Sequence, residues 1–82
     1  MDGIDERVRR LAVEVCEQPT SAPEDWTPDG PLAGYGFDSL ALVHLVMRVE
    51  QEFELDLQPE DMTGAAFSSL AAIGELVRSR LA

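Results

Sequence analysis

The chain has 82 residues, 45% hydrophobic and 27% charged, a composition typical of one small folded domain spanning residues 1–82. A domain of this size is too small to wall a catalytic pocket on all sides. Sixteen Asp and Glu residues oppose six Arg, and no Lys is present, so the formal net charge is −10. Nucleic acids and anionic membranes require clustered positive charge, so this balance disfavours both and predicts basic protein partners.

The first predicted helix runs from Ile4 to about Glu17, with Asp2 as its N-cap. Its apolar residues recur at steps of three or four and form one stripe: Ile4, Val8, Leu11 and Val15. We expect a solvated face for Arg7, Arg9 and Arg10. Cys16 should lie at the rim of the core, and the absence of a second cysteine excludes an internal disulfide.

Residues 18–38 carry repeated Pro and Gly, which predicts a long loop between two helices. A loop of this length needs its own anchors in a small domain. Four apolar residues are the candidates: Trp26, Leu32, Tyr35 and Phe37.

The second predicted helix, Ser39 to about Phe53, contains no Gly or Pro and follows a capping pair, Asp38-Ser39. A short helix should begin near Gln58-Pro59 and end at Gly64, and Ser68 or Ser69 should cap a last helix. The prediction is an all-α fold: a small four-helix bundle of three longer helices and one short helix, with a long first loop.

The second helix is apolar on two faces. With Leu40 set at zero and about 100° per residue, one stripe falls between about 140° and 240° and comprises Leu42, Leu45, Val46, Val49 and Phe53. A second stripe, at about 300° to 360°, comprises Val43, Met47 and Leu40. A small bundle has too few helices to cover both faces, so we expect the second stripe to be exposed as a docking surface.

The segment Gly36-Phe37-Asp38-Ser39-Leu40, followed by this helix, resembles the attachment site of acyl and peptidyl carrier proteins. The order of helices resembles that family along nearly the whole chain. The resemblance implies that a phosphopantetheinyl transferase, with coenzyme A and magnesium, attaches 4′-phosphopantetheine to Ser39, and that Asp38 helps to orient metal and serine. It also implies that partners contact Leu40, Val43 and Met47.

The same resemblance implies a non-catalytic carrier, a monomer that holds acyl groups as thioesters. No apolar run approaches the roughly 20 residues needed to cross a bilayer, and the N-terminal residues lack the basic-then-apolar order of a signal peptide, so we expect a cytoplasmic protein. Its partners would be the transferase, an acyltransferase or acyl-loading ligase, and a ketosynthase or other acyl-processing enzymes. His44 is interpreted as a partner contact, because no second ligand lies near it for a metal site.

Two departures from the family pattern bear on the pathway. Acidic residues usual near the serine in carriers of fatty acid synthesis are replaced by Ala41 and His44, which favours polyketide or related specialised metabolism, such as antibiotic biosynthesis. Phe37 stands where peptidyl carriers usually have Gly, which favours an acyl carrier. Two alternatives stay open: an aminoacyl or peptidyl carrier of nonribosomal peptide synthesis, and an unmodified helical adaptor.

Overall fold

The computed structural model describes residues 3–58, 61 and 64–81. They contain three α-helices and no β-strand: α1 (Ile4–Val15), α2 (Ser39–Phe53) and α3 (Leu70–Leu81). The predicted all-α fold and its three longer helices are confirmed, and α2 has the predicted bounds. Most of the predicted short helix, at residues 59, 60, 62 and 63, lies outside the described residues, as does Asp2.

Helix α1 ends two residues earlier than predicted, because Cys16 leaves the helix with an extended backbone. The expected rim position of Cys16 is wrong. The side chain is only 7% exposed and belongs to the core, with its Sγ 3.6 Å from the carbonyl oxygen of Tyr35. This burial raises the pKa of the thiol.

The core lies where α1 packs against both α2 and α3. Each helix buries one apolar stripe, and the fully buried side chains include Val8, Leu45, Val49, Ile73 and Val77. Ser69 caps α3 as predicted, since its hydroxyl accepts from the backbone N–H of Ala72 at 3.1 Å. Among the described residues, no helix is long and apolar enough to cross a bilayer.

The long first loop is fastened to the bundle by its aromatic residues. Trp26 and Phe37 are buried, and Trp26 stacks on Tyr35 with 5.3 Å between ring centroids. Two backbone hydrogen bonds join the loop to the start of α3, from Leu32 to Ser68 at 2.9 Å and from Ala71 to Pro28 at 2.8 Å. Two short 3₁₀ helices, Pro23–Asp25 and Leu32–Tyr35, supply local backbone pairing. The predicted loop anchors are therefore confirmed.

Arg7 and Arg9 do not form the solvated face expected of them. The Arg9 guanidinium donates to the carbonyl oxygens of Trp26, at 3.2 Å, and Pro23. The Arg7 guanidinium pairs with the Glu52 carboxylate at 2.9 Å and lies 4.4 Å from the ring centroid of Phe53. These two side chains hold α1 against the loop and the end of α2.

Candidate functional site

A sharp corner joins the loop to α2 and brings Ser39 to the surface. Gly36 adopts a positive φ of 102°, and a Cβ there would lie 2.5 Å from the carbonyl oxygen of Gln18. Only glycine meets both conditions without strain. Phe37 is buried directly after this turn, whereas Asp38 and Ser39 are exposed. The corner therefore anchors one side chain in the core and presents the next two to solvent.

Asp38 is the N-cap of α2. Its Oδ1 accepts from the backbone N–H of Ala41 at 2.8 Å, and its carbonyl oxygen accepts from Leu42 at 3.0 Å. Among the described residues, none accepts from the backbone N–H of Ser39 or Leu40. These two donors, together with the positive end of the helix dipole, favour an anion beside the Ser39 hydroxyl.

Ser39 has no neighbouring base in the part of the chain that the structure describes, since no hydrogen bond joins its hydroxyl to a His or a carboxylate. His44 is exposed five residues further along α2, more than one helical turn away. A serine hydroxyl is a weak nucleophile without such a base. The described residues also contain no group of three or more His, Cys, Asp or Glu that could hold a metal ion.

The two apolar faces of α2 have the predicted environments. On one face, Leu45 and Val49 are 0% exposed. On the other face, three side chains are more than half exposed: Leu40 (64%), Val43 (54%) and Met47 (51%). We call these three residues the exposed stripe. Asp38 caps α2, and the exposed stripe and His44 lie between Ser39 and Met47 on that helix, so the predicted site residues lie towards the same end of α2 as Ser39.

Two grooves flank α2. The apolar groove, of about 340 Å³, is lined by Leu42, Val43, Val46, Met47, Glu50, Gly64 and Phe67. The α1-end groove, of about 430 Å³, is lined by Val15, Glu17, Gln18, Thr20, Gly36, Asp38, Leu40, Ala41 and His44. Each groove shares residues with the exposed stripe, so the stripe and both grooves form one continuous surface.

Sequence reasoning missed two parts of this surface. Phe67 could have been noticed as the only aromatic residue between α2 and α3. Glu17, Gln18 and Thr20 carry no such signal, because their place beside α2 depends on how the loop folds back.

Comparison with known proteins shows which family this chain is similar to. The family model described as PP-binding, phosphopantetheine attachment site, matches residues 6–77. Aminoacyl carrier protein 1 of Bradyrhizobium diazoefficiens is 29% identical over 75 residues, covering 92% of this chain and 82% of that protein. Highly reducing polyketide synthase 2 of Gibberella zeae is 32% identical over 73 residues, covering 89% of this chain. This chain spans only 3% of that synthase.

Two solved structures share the fold. One is an engineered Bradyrhizobium japonicum glycine:[carrier protein] ligase complexed with carrier protein from Agrobacterium tumefaciens and ATP. One of its chains aligns with a TM-score of 0.83 at 20% identity, covering 93% of this chain and 97% of that one. The other is the Bradyrhizobium japonicum ligase complexed with glycylated carrier protein, with a TM-score of 0.81 at 23% identity, covering 92% and 99%. From the family match, this chain belongs to the phosphopantetheine attachment site family, the carrier proteins that hold a covalent 4′-phosphopantetheine group.

Proposed function

We propose that Ser39 is the attachment point of the 4′-phosphopantetheine arm, and that the chain carries acyl intermediates on this arm as thioesters. One observation carries the proposal. The Ser39 hydroxyl is exposed at the first residue of α2, beside two backbone N–H groups with no acceptor among the described residues. A phosphodiester formed there would gain hydrogen bonds and the favourable end of the helix dipole.

Transfer of the arm from coenzyme A to Ser39 would use groups of two proteins, this chain and the transferase. The Ser39 oxygen attacks the pantetheine-bearing phosphorus of coenzyme A, the pyrophosphate bond breaks, and 3′-phosphoadenosine 5′-phosphate leaves. The hydroxyl proton passes to a base of the transferase, because no described residue is hydrogen-bonded to Ser39 as a base. Asp38 uses Oδ1 to cap α2. Its second carboxylate oxygen is available to help orient the transferase's magnesium ion.

The exposed stripe is the proposed docking surface for partner enzymes. Removing apolar surface from water is favourable by roughly 25 cal/mol per Å² buried, so an exposed stripe of three apolar side chains suits the buried part of an interface. His44 lies on the same turns of α2 and contributes a polar contact at its edge. We propose that the phosphopantetheinyl transferase, the acyl-loading enzyme and acyl-processing enzymes such as a ketosynthase all use this surface.

The proposed cargo is an acyl group of polyketide or related specialised metabolism. The apolar groove supports this, because a hydrocarbon chain could be shielded against Val46, Met47 and Phe67. An aminoacyl cargo is the second candidate, supported by the likeness to Aminoacyl carrier protein 1. The proposed setting is the cytoplasm, with the chain acting as a monomeric, non-catalytic carrier.

Intact mass spectrometry tests the attachment site. We expect wild-type protein incubated with coenzyme A, magnesium and a broad-range phosphopantetheinyl transferase to gain the mass of one arm. Ser39→Ala should gain none. Ser79→Ala is the matched control, because this serine is exposed on α3, away from the corner, and should be loaded like the wild type. If the wild type gained no mass, the carrier proposal would fail and the adaptor alternative would stand.

The arm-bearing protein then separates the two cargo classes. One reaction supplies an acyltransferase with acyl-coenzyme A, and the other supplies an amino acid:[carrier protein] ligase with the amino acid and ATP. We expect the acyl thioester to form faster, as measured by the mass of the loaded protein over time. Faster aminoacylation would replace the acyl proposal with the aminoacyl one.

A further inference from the structure

We propose that the α1-end groove receives an arginine or lysine side chain of the phosphopantetheinyl transferase. This inference rests on the proposed attachment of the arm to Ser39. It adds to the exposed stripe a second contact, formed by the end of α1 and the start of the loop.

The position of the groove places it inside the footprint of this enzyme. The transferase must bring its reacting phosphorus directly to the Ser39 hydroxyl, whereas an enzyme that acts on the loaded thioester can stand away by the length of the arm. The transferase must therefore cover the residues on either side of Ser39. Asp38 and Leu40 are those residues, and both line the α1-end groove.

The groove also leaves room for the reaction. On the wheel of α2, the groove residues Ala41 and His44 fall at about 100° and 40°, whereas Ser39 falls at about 260°. Ser39 therefore lies on the opposite side of the α2 wheel from these two residues, towards Val43, which lines the apolar groove. A side chain seated in the α1-end groove would anchor the enzyme without obstructing the serine.

Charge identifies the occupant as a cation. Residues 11–47 contain six acidic residues and no Lys or Arg. Within the described residues, Glu14 pairs with Arg48 at 2.7 Å, but the Glu17 carboxylate in the groove has no ion pair or hydrogen bond. Five of the six arginines bind groups of this chain: Arg7, Arg9, Arg48, Arg78 and Arg80. The carboxylates of Glu17 and Asp38 therefore present negative charge that a partner's cation can neutralise.

The groove is formed before any partner binds. Thr20 fixes its wall through two hydrogen bonds, from its backbone N–H to Tyr35 at 3.1 Å and from its hydroxyl to Gly34 at 2.7 Å. The groove contains apolar surface as well, from Val15 and Leu40. A long basic side chain can lay its aliphatic stem on this surface while its charged end reaches Glu17.

Transferase kinetics with a matched pair of variants test the inference. Glu17→Gln removes the groove carboxylate, and Glu24→Gln removes an exposed loop carboxylate that does not line the groove. With a broad-range transferase and coenzyme A, we expect Glu17→Gln to lower kcat/KM about tenfold at low ionic strength, as for a lost charge-assisted hydrogen bond. The kcat/KM of Glu17→Gln should depend less on salt than that of the wild type. The kcat/KM of Glu24→Gln should stay within about twofold of the wild-type value.

Four further results would overturn the inference. Equal losses in both variants, or no loss in Glu17→Gln with an unchanged urea midpoint, would overturn this inference and leave the arm at Ser39 intact. No arm transfer to the wild type would overturn the proposed function and this inference together. If attaching the arm, without enzyme, shifted the amide NMR signals of Gln18, Thr20 and His44, the occupant would be the arm itself and not a partner's cation.

Discussion

The two apolar faces of α2 are similar in composition and opposite in environment. Leu45 and Leu40 are five residues apart on one helix, yet the first is 0% exposed and the second 64%. The difference comes from what covers each face, because α1 packs on one and no described residue buries the other. Apolar content alone therefore does not define the core of a small helical domain. Whether an apolar face is buried depends on whether another helix is available to cover it.

Leucine-to-alanine variants on the two faces of α2 should show the largest difference in stability. Leu45→Ala leaves a cavity in the centre of the core and is expected to lower the free energy of unfolding by about 3 kcal/mol. Leu40→Ala removes exposed surface and should change it by less than about 0.5 kcal/mol. Urea denaturation followed by circular dichroism measures both. Similar losses for the two variants would contradict the described burial of α2.

The corner before α2 determines where the exposed face begins. A substitution at Gly36 tests how strongly this corner depends on glycine. Gly36→Ala should cost about 2 kcal/mol, because the new Cβ meets the Gln18 carbonyl oxygen at a positive φ. Gly34→Ala is the matched control, since its nearest contact would be Pro31 Cγ at 3.6 Å. Thermal unfolding of both variants provides the measurement. A stable Gly36→Ala beside a destabilised Gly34→Ala would show that the corner is held in another way.

The contrast between local and tertiary contacts explains how much the sequence could predict. The bounds of α2, its two stripes and the Asp38 cap were predictable, because each depends on residues within a few positions along the chain. The burial of Cys16 and the contacts of Arg7 and Arg9 were not, because they require the loop to fold back on α1. The α1-end groove belongs to the second class, since residues 18–20 meet Gly36 only in the folded chain.

Leu40, on the exposed face of α2, should contribute to arm transfer, whereas an exposed leucine elsewhere on the surface should not. Leu40→Ala is expected to lower kcat/KM for arm transfer about tenfold, because the side chain loses apolar area that the transferase would bury next to Ser39. Leu81→Ala is the control, since Leu81 is 50% exposed at the end of α3 and should leave kcat/KM within about twofold.

Both variants should unfold like the wild type, so a loss confined to Leu40→Ala would arise from docking and not from stability. Equal rates for the two variants would mean that exposure of an apolar side chain, here as elsewhere on small proteins, carries no binding function by itself. The exposed stripe would then be ordinary surface, and recognition would have to depend on the Asp38–Ser39 corner and the α1-end groove.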